Sequence, residues 1–165
     1  MAATGERITL ADGGTVVVRD LHAEDRDGYI EAVGAMSDRS RYQRFASPTP
    51  KLSDRAIDYL THIDGVHHVA LVALDGDHGA GVARYVRFAP GRAEIAIGLV
   101  DAWQRRGLGS ILLDRLIARA RAAGDLDMLE AMTLADNRGA QHLLRSCGFR
   151  PDHREGIMLV LRLEL

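Results

Sequence analysis

The sequence predicts a mixed α/β fold built on a mostly antiparallel sheet, and three stretches predict it. Two hairpin signals, Asp12-Gly13-Gly14 and Asp75-Gly76-Asp77-His78-Gly79, each sit between runs of β-forming residues, and tight turns between such runs join antiparallel neighbours. Residues 92–123 behave differently. Period-2 alternation over 94–100 passes through a short turn into helical spacing, with Leu108, Ile111, Leu112, Leu116 and Ile117 on one face. The rest of the chain is organised around this strand, turn and helix.

Residues 7–10 and 15–20 form the first hairpin. Residues 23–36 read as a helix with Glu24, Asp25 and Asp27 in its first turn, where acids complement the helix dipole, and with Tyr29, Ile30, Val33 and Met36 on a buried face. Residues 37–50 are polar, end in two prolines and lack periodicity, which predicts a short helical turn and a loop. Ser53 is an N-cap for a helix over 54–62 with Ile57 and Leu60 inward. Strands over 67–74 and 79–88 flank the second hairpin turn, and Ala89-Pro90-Gly91 leads into a strand over 92–100. Beyond the long helix, which Gly124 caps, come a strand over 127–134, a short helix over 137–146 ended by Gly148-Phe149, and a last strand over 156–163. The predicted order is two strands, two helices, three strands, then helix, strand, helix, strand, which is a sheet flanked by about four helices.

At 165 residues, 47% hydrophobic and 27% charged, the chain is expected to form a single domain, 1–165, with its own core. A net charge of -2 argues against a nucleic-acid binder. No apolar run approaches the roughly 20 residues that span a bilayer, and the start lacks the basic segment and apolar run of a leader, so a cytoplasmic protein without membrane contact is expected. Cys147 is the only cysteine, which excludes an internal disulfide and reads as a small core residue before Gly148-Phe149. The seven histidines show no metal-ligand spacing. Residues 1–75 carry 12 acidic against 8 basic side chains, and the remainder 11 against 13. That asymmetry suits a cationic acceptor meeting an anionic cofactor, and equally a charge spread over a solvated surface.

The turn Gln104-Arg105-Arg106-Gly107-Leu108-Gly109 is the chemically distinctive stretch. Its glycines let backbone N–H groups approach a ligand, and a helix N-terminus binds anions. Two arginines there are poor partners for the positive end of the dipole unless a polyanion lies between them and the backbone. Gly-x-Gly alone is also compatible with nothing more than a tight connection. Spaced as Gln-x-x-Gly-x-Gly after Leu99-Val-Asp-Ala-Trp103, however, the turn resembles the pyrophosphate loop of the GNAT family of N-acetyltransferases. Asn137-x-x-Ala140-x-x-Leu143-Leu144-x-x-x-Gly148-Phe149 is similar to that family's second motif. Within the family, residues 36–64 followed by His68-Val-Ala-Leu-Val-Ala73 are similar to the catalytic domain of actinobacterial protein lysine acetyltransferases.

The resemblance implies the GNAT fold, acetyl-CoA as donor, and three tasks for the site. Anchoring of the cofactor falls to Gln104, Arg105, Arg106, Gly107, Leu108, Gly109 and Ser110, with both arginine side chains available to phosphates. The pantetheine arm and the acetyl carbonyl fall to backbone groups of Leu99 and Val100, freed where the strand splays at a β-bulge over Asp101-Ala102. Asn137 matches the asparagine that hydrogen-bonds the pantetheine, and is also an ordinary helix N-cap.

The base falls to Glu94, which alternation places on one face with Ala96, Gly98 and Val100. Burial would have to lift its pKa from about 4.3 toward ~6 to 7. Glu130, mid-strand nearby, is a second candidate. Many members carry a tyrosine as general acid where this chain has Leu144, so no proton donor is assigned. Arg41, Tyr42, Arg44 and Phe45 fall in the wall of the acceptor site; as a surface connection, its Tyr and Phe would instead be core anchors.

The implied reaction is direct transfer of acetyl to a protein lysine, such as one on an acyl-CoA synthetase. A small amine as acceptor, or a non-catalytic acetyl-CoA sensor, are the alternatives. Ala96 and Gly98 leave space that a propionyl group would also fill. The oligomeric state is left open.

Overall fold

A computed structural model describes residues 4–47 and 51–165; Pro48 and Pro50 of the expected loop, and the first three residues, lie outside them. Eight strands form one sheet in the order β1-β2-β3-β4-β5-β6-β8-β7. They are β1 (Glu6–Thr9), β2 (Thr15–Asp20), β3 (His68–Asp75), β4 (His78–Ala89), β5 (Gly91–Leu99), β6 (Leu126–Leu134), β7 (Arg150–Glu155) and β8 (Met158–Glu164). Every neighbouring pair is antiparallel except β5 and β6, which are parallel and joined through a helix. Expected and observed strands agree to within a residue or two, with one exception. Where a single strand was expected over 156–163, the chain makes a hairpin, β7–β8, turning at Gly156 (φ +58°). The missed strand, Arg-Pro-Asp-His-Arg-Glu, is exposed along its whole length. It therefore carries no alternation to read, and its proline is tolerated because β7 is an edge strand.

The helices are α1 (Arg26–Ala35), α2 (Asp38–Phe45), α3 (Asp54–Thr61), α4 (Leu108–Ala123) and α5 (Arg138–Ser146). The segment read as a short turn and loop is the full helix α2, one of five α-helices that flank the sheet among the described residues. Asp-Arg-Ser-Arg-Tyr-Gln-Arg-Phe has no apolar stripe. What starts the helix is Ser37, whose Oγ accepts from the Ser40 N–H at 3.2 Å, and Ala46 in the left-handed region (φ +49°) stops it. The helix expected over 23–36 begins with a 3-10 turn at Ala23–Asp25. Its inward face carries Tyr29 and Met36, while Ile30 is 40% exposed, contrary to expectation. None of the helices in the described residues is long and apolar enough to cross a membrane.

Helix α4 buries Leu108, Leu112, Leu113 and Leu116 completely against Leu71, Ala83, Tyr85, Ile95 and Leu129 on one face of the sheet. Each such leucine contributes about 1.5–3 kcal/mol. Cys147 lies half-buried at the edge of this core, and burial pushes its thiol pKa up.

The opposite face is covered by α1, α2 and α3, over a small apolar cluster of Leu21, Ala70 and Val72 and a buried polar contact. Arg84 of β4 is 3% exposed. Its Nη1 donates to the Leu60 carbonyl of α3 at 2.7 Å and to His68 Nε2 of β3 at 2.9 Å. The Tyr29 ring centre of α1 lies 5.7 Å from the guanidinium carbon, and the Tyr59 ring of α3 lies tilted against His68, their centres 5.3 Å apart. Burial lowers the Arg84 pKa to about 10 and, with the Arg84 charge adding to it, the His68 pKa to about 4. His68 is thus a neutral acceptor, and the pair fastens α1 and α3 to the sheet.

Candidate active site

Strand β5 puts its two faces to different uses, as its alternation predicts. Ala93 and Ile95 are buried under α4, and Ile97 and Leu99 pack against the same core. Glu94, Ala96 and Gly98 belong to the other face. The parallel ladder with β6 ends at Ile95↔Ala131, whereas the ladder with β4 runs on to Gly81↔Leu99. From Ala96 onward the two central strands part. The opening thus comes from the end of a ladder and not from a β-bulge at Asp101-Ala102, where the chain makes a 3-10 turn, Asp101–Trp103.

Which backbone groups face the opening follows from strand geometry. Successive residues of an antiparallel strand turn N–H and C=O to alternate edges. The Val100 N–H donates to the Ala80 carbonyl of β4 at 3.0 Å. Val100 is therefore spent, contrary to expectation, and Ile97 and Leu99 turn toward the parted side. The Leu99 carbonyl accepts from Gln104 Nε2 at 3.1 Å, which leaves the N–H groups of Leu99 and Ile97 as donors. Ile97 carried no signal in the sequence beyond its place in the alternation.

The turn beyond β5 is tied to α2. Asp101 accepts from the Ser37 N–H (2.9 Å), Ser37 Oγ (2.8 Å) and Ser40 Oγ (3.1 Å). The backbone bond from Ser37 is the main reason that the Asp101 carboxyl lies below its usual pKa. Gln104 Nε2 also donates to Ser40 Oγ at 3.1 Å, and the Gln104 N–H donates to the Asp101 carbonyl. Gln104 is thus a strut of the turn rather than a ligand group.

Arg106 is likewise committed. Its Nε donates to Asp12 Oδ2 at 2.5 Å and its guanidinium lies 4.2 Å from the Trp103 ring centre. Of the two arginines, Arg105 alone is exposed with no side-chain partner among the described residues, and its φ of +56° is unusual for a residue with a Cβ. Gly107 (φ +86°) then starts α4. The first bond of the helical ladder is from the Ile111 N–H to the Gly107 carbonyl, so the N–H groups of Leu108, Gly109 and Ser110 precede it. No acid occupies this first turn. A Cβ at Gly109 would stand 2.9 Å from Leu143 and 3.5 Å from Leu99, so glycine is what lets α4 begin against both α5 and the parted strand.

Asn137 caps α5, its Oδ1 accepting from the Ala140 N–H at 3.1 Å. Its amide N–H donors have no partner among the described residues. Leu144 is buried in the core and offers no proton.

Glu94 is exposed, which overturns the expectation that burial would tune it. It has no ion-pair or hydrogen-bond partner among the described residues. Glu130, its register partner across the parallel ladder, is held by Arg92 and lies 3.4 Å from Arg162 Nε. Glu130 is therefore neutralised and corrected from candidate base to structural anion. Of the expected acceptor residues, Arg44 and Phe45 reach the site. The Arg44 stem lies across Gly98, 3.2 Å from where a Cβ would stand, and its guanidinium covers the Phe45 ring at 4.8 Å. Arg41 instead pairs with Asp38 of its own helix, and Tyr42 is 39% exposed.

The arrangement offers an anion cradle at the α4 N-terminus, carbonyl-polarising donors in the gap between β5 and β6, and a free carboxylate where that gap begins. The model of the acetyltransferase (GNAT) family matches residues 18–149. An acetyltransferase of Pseudomonas aeruginosa is 30% identical over 164 residues, covering 95% of this chain and 88% of that protein. Acetyltransferase Pat of Mycolicibacterium smegmatis is 31% identical over 116 residues, 68% of this chain and 34% of that longer protein. The crystal structure of the GNAT domain of S. lividans PAT superposes with a TM-score of 0.92 at 30% identity, covering 100% of this chain and 99% of that one.

Proposed function

The chain belongs to the GNAT family of acetyl-CoA-dependent N-acetyltransferases, and on that premise we propose that it acetylates protein lysines in the cytoplasm, residues 1–165 forming one transferase domain. The observation that carries this reading is Glu94, an unpaired carboxylate one rung before the ladder of β5 and β6 ends, exposed to an acceptor arriving from another molecule. The similarity to the S. lividans PAT domain over the whole chain supports the same acceptor class.

In this reading the pyrophosphate sits on the N–H groups of Leu108, Gly109 and Ser110 beside Arg105, and Asn137 holds the pantetheine. The N–H groups of Leu99 and Ile97 polarise the acetyl carbonyl. Glu94, directly or through one water, takes a proton from the lysine ammonium. The freed amine attacks the carbonyl, the C–N bond forms, the adduct gives up its second nitrogen proton to solvent as the C–S bond breaks, and the thiolate leaves and takes a proton from solvent. Arg44 and Phe45 border the approach of the lysine.

The test is thiol release from acetyl-CoA with two acceptor sets, acyl-CoA synthetases and other lysine-bearing proteins in one, polyamines and amino acids in the other. Turnover on protein lysine with little on the small amines is expected. Turnover confined to a small amine would move the assignment to that class, and cofactor binding with no turnover on either set would leave a sensor.

Arg106 offers a second check. Asp12→Asn removes the carboxylate that holds its guanidinium and frees a cation beside the pyrophosphate. Exposed pairs of this kind are weak, so the Kd for acetyl-CoA by calorimetry should fall only a few-fold. An unchanged Kd would mean that Arg106 serves the turn alone.

A further inference from the structure

An open groove lies at the turn between β4 and β5, away from the acetyl-transfer site. Phe88, Ala89, Pro90 and Gly91 line it along the turn, together with His67, Arg87 and Asp125. Its charges are already matched. Arg87 donates from Nε to the Val66 carbonyl at 2.9 Å and from Nη2 to Asp125 at 2.8 Å, and His67 Nδ1 lies 3.4 Å from Asp64. What faces solvent is apolar: Phe88 is 52% exposed, Val66 beside His67 is 56% exposed, and Pro90 is exposed as well.

The groove adjoins Glu94. Arg92 lies two residues from Glu94 on the same face of β5, a step of about 7 Å, and its guanidinium lies over the Phe88 ring at 5.2 Å. Glu130 takes up the Arg92 charge. Across the strands, Val86 of β4 is the register partner of Glu94 and His68 of β3 that of Val86. Tyr59, 57% exposed, rests against His68. A carboxylate without a partner thus has exposed aromatic surface in two directions.

We infer that the groove docks the acceptor protein itself, through an extended segment that carries a large apolar side chain two residues from the reacting lysine. The inference rests on the reading that Glu94 takes the proton of a protein lysine. Charge complementarity sets the ammonium at Glu94. In an extended segment, side chains two residues apart point the same way and stand about 7 Å apart. That is the step from Glu94 to Arg92 and the Phe88 ring beneath it. A polyamine has no such side chain and would leave Phe88 and Val66 in water.

The experiment measures kcat and KM with acetyl-CoA for short glycine-serine peptides bearing one lysine and one leucine. The leucine stands one, two or three residues away on either side, and the enzymes are wild type, Phe88→Ser and Phe88→Leu. Leucine two residues from the lysine, on one side, should raise kcat/KM at least fivefold over a leucine-free peptide, through KM; at 1.4 kcal/mol per decade this is about 1 kcal/mol. Phe88→Ser should cancel the gain and Phe88→Leu should keep it. Equal kcat/KM for all peptides in wild type would overturn the groove and leave lysine acetylation standing. A leucine gain that survives Phe88→Ser, with or without a loss common to every peptide, would overturn it as well. Were whole proteins turned over and peptides not, the KM of the protein would decide: a rise of at least fivefold in Phe88→Ser but not in Phe88→Leu supports the groove, and an unchanged KM sinks it. Turnover confined to polyamines, or absent with every acceptor, would overturn the acceptor reading and the groove with it.

Discussion

Glu94→Gln should lower kcat/KM about 10²- to 10³-fold on the protein acceptor, leaving the Kd for acetyl-CoA within a factor of two. General-base catalysis typically contributes 10²–10⁴-fold, and two to three decades correspond to about 3–4 kcal/mol of transition-state stabilisation. Gln keeps the shape and one acceptor oxygen but cannot take the ammonium proton. The loss should fall on kcat, because the exposed carboxylate contributes little to binding. Glu130→Gln is the informative control. It removes the anion shared by Arg92 and Arg162, so its effect should appear as lost stability in urea unfolding, with kcat changed far less than in Glu94→Gln. The base assignment fails if Glu94→Gln retains a third or more of wild-type kcat, and moves to Glu130 if the two variants exchange these phenotypes.

A second large effect should appear on acidification with no substrate present. His68 has a folded pKa of about 4, against about 6.5 for an unperturbed histidine. The folded state therefore binds fewer protons than the unfolded state between those values. Its contribution is fully present above pH 6.5, falls as pH drops through the window and is gone below about 4. At about 1.36 kcal/mol per unit the whole span is worth about 3 kcal/mol, most of it lost by pH 4.5. Urea unfolding at pH 7 and pH 4.5 should show this loss in wild type. His68→Gln, which keeps an acceptor for Arg84 but has no proton to gain, should show a far shallower dependence. Asp64 does not confuse the reading. Three backbone N–H groups hold its pKa at about 2, so its stabilisation is lost only at lower pH. Identical slopes for wild type and His68→Gln would refute the assignment.

What was legible in the sequence follows from what each element buries. The alternation of β5 and the 3.6-residue period of α4 are visible because each packs one face on the same core, and the turn between them is marked by glycines that backbone geometry requires. Helix α2 and strand β7 were missed for a shared reason. Neither buries an apolar face: α2 is held by its caps and by Asp101, and β7 by its pairing with β8. At the site the strand face and the helix N-terminus could be read from local patterns, and the unsuitability of Leu144 from the family resemblance. The commitments of Gln104, Arg106 and Glu130 could not. Each depends on a partner far along the chain, Ser40, Asp12 and the Arg92–Arg162 pair, and contacts between distant side chains leave no periodic trace.

The knot at Asp101 carries a consequence for how two substrates share one protein. Ser37 and Ser40 at the start of α2 and Gln104 in the turn hold one another through a single carboxylate and a single hydroxyl. On the proposed reading, in which the donor rests on this turn and the acceptor on α2, immobilising the turn also immobilises the helix, and the reverse. Linkage requires both effects to be the same factor: whatever tightening coenzyme A confers on the acceptor, the acceptor confers on coenzyme A.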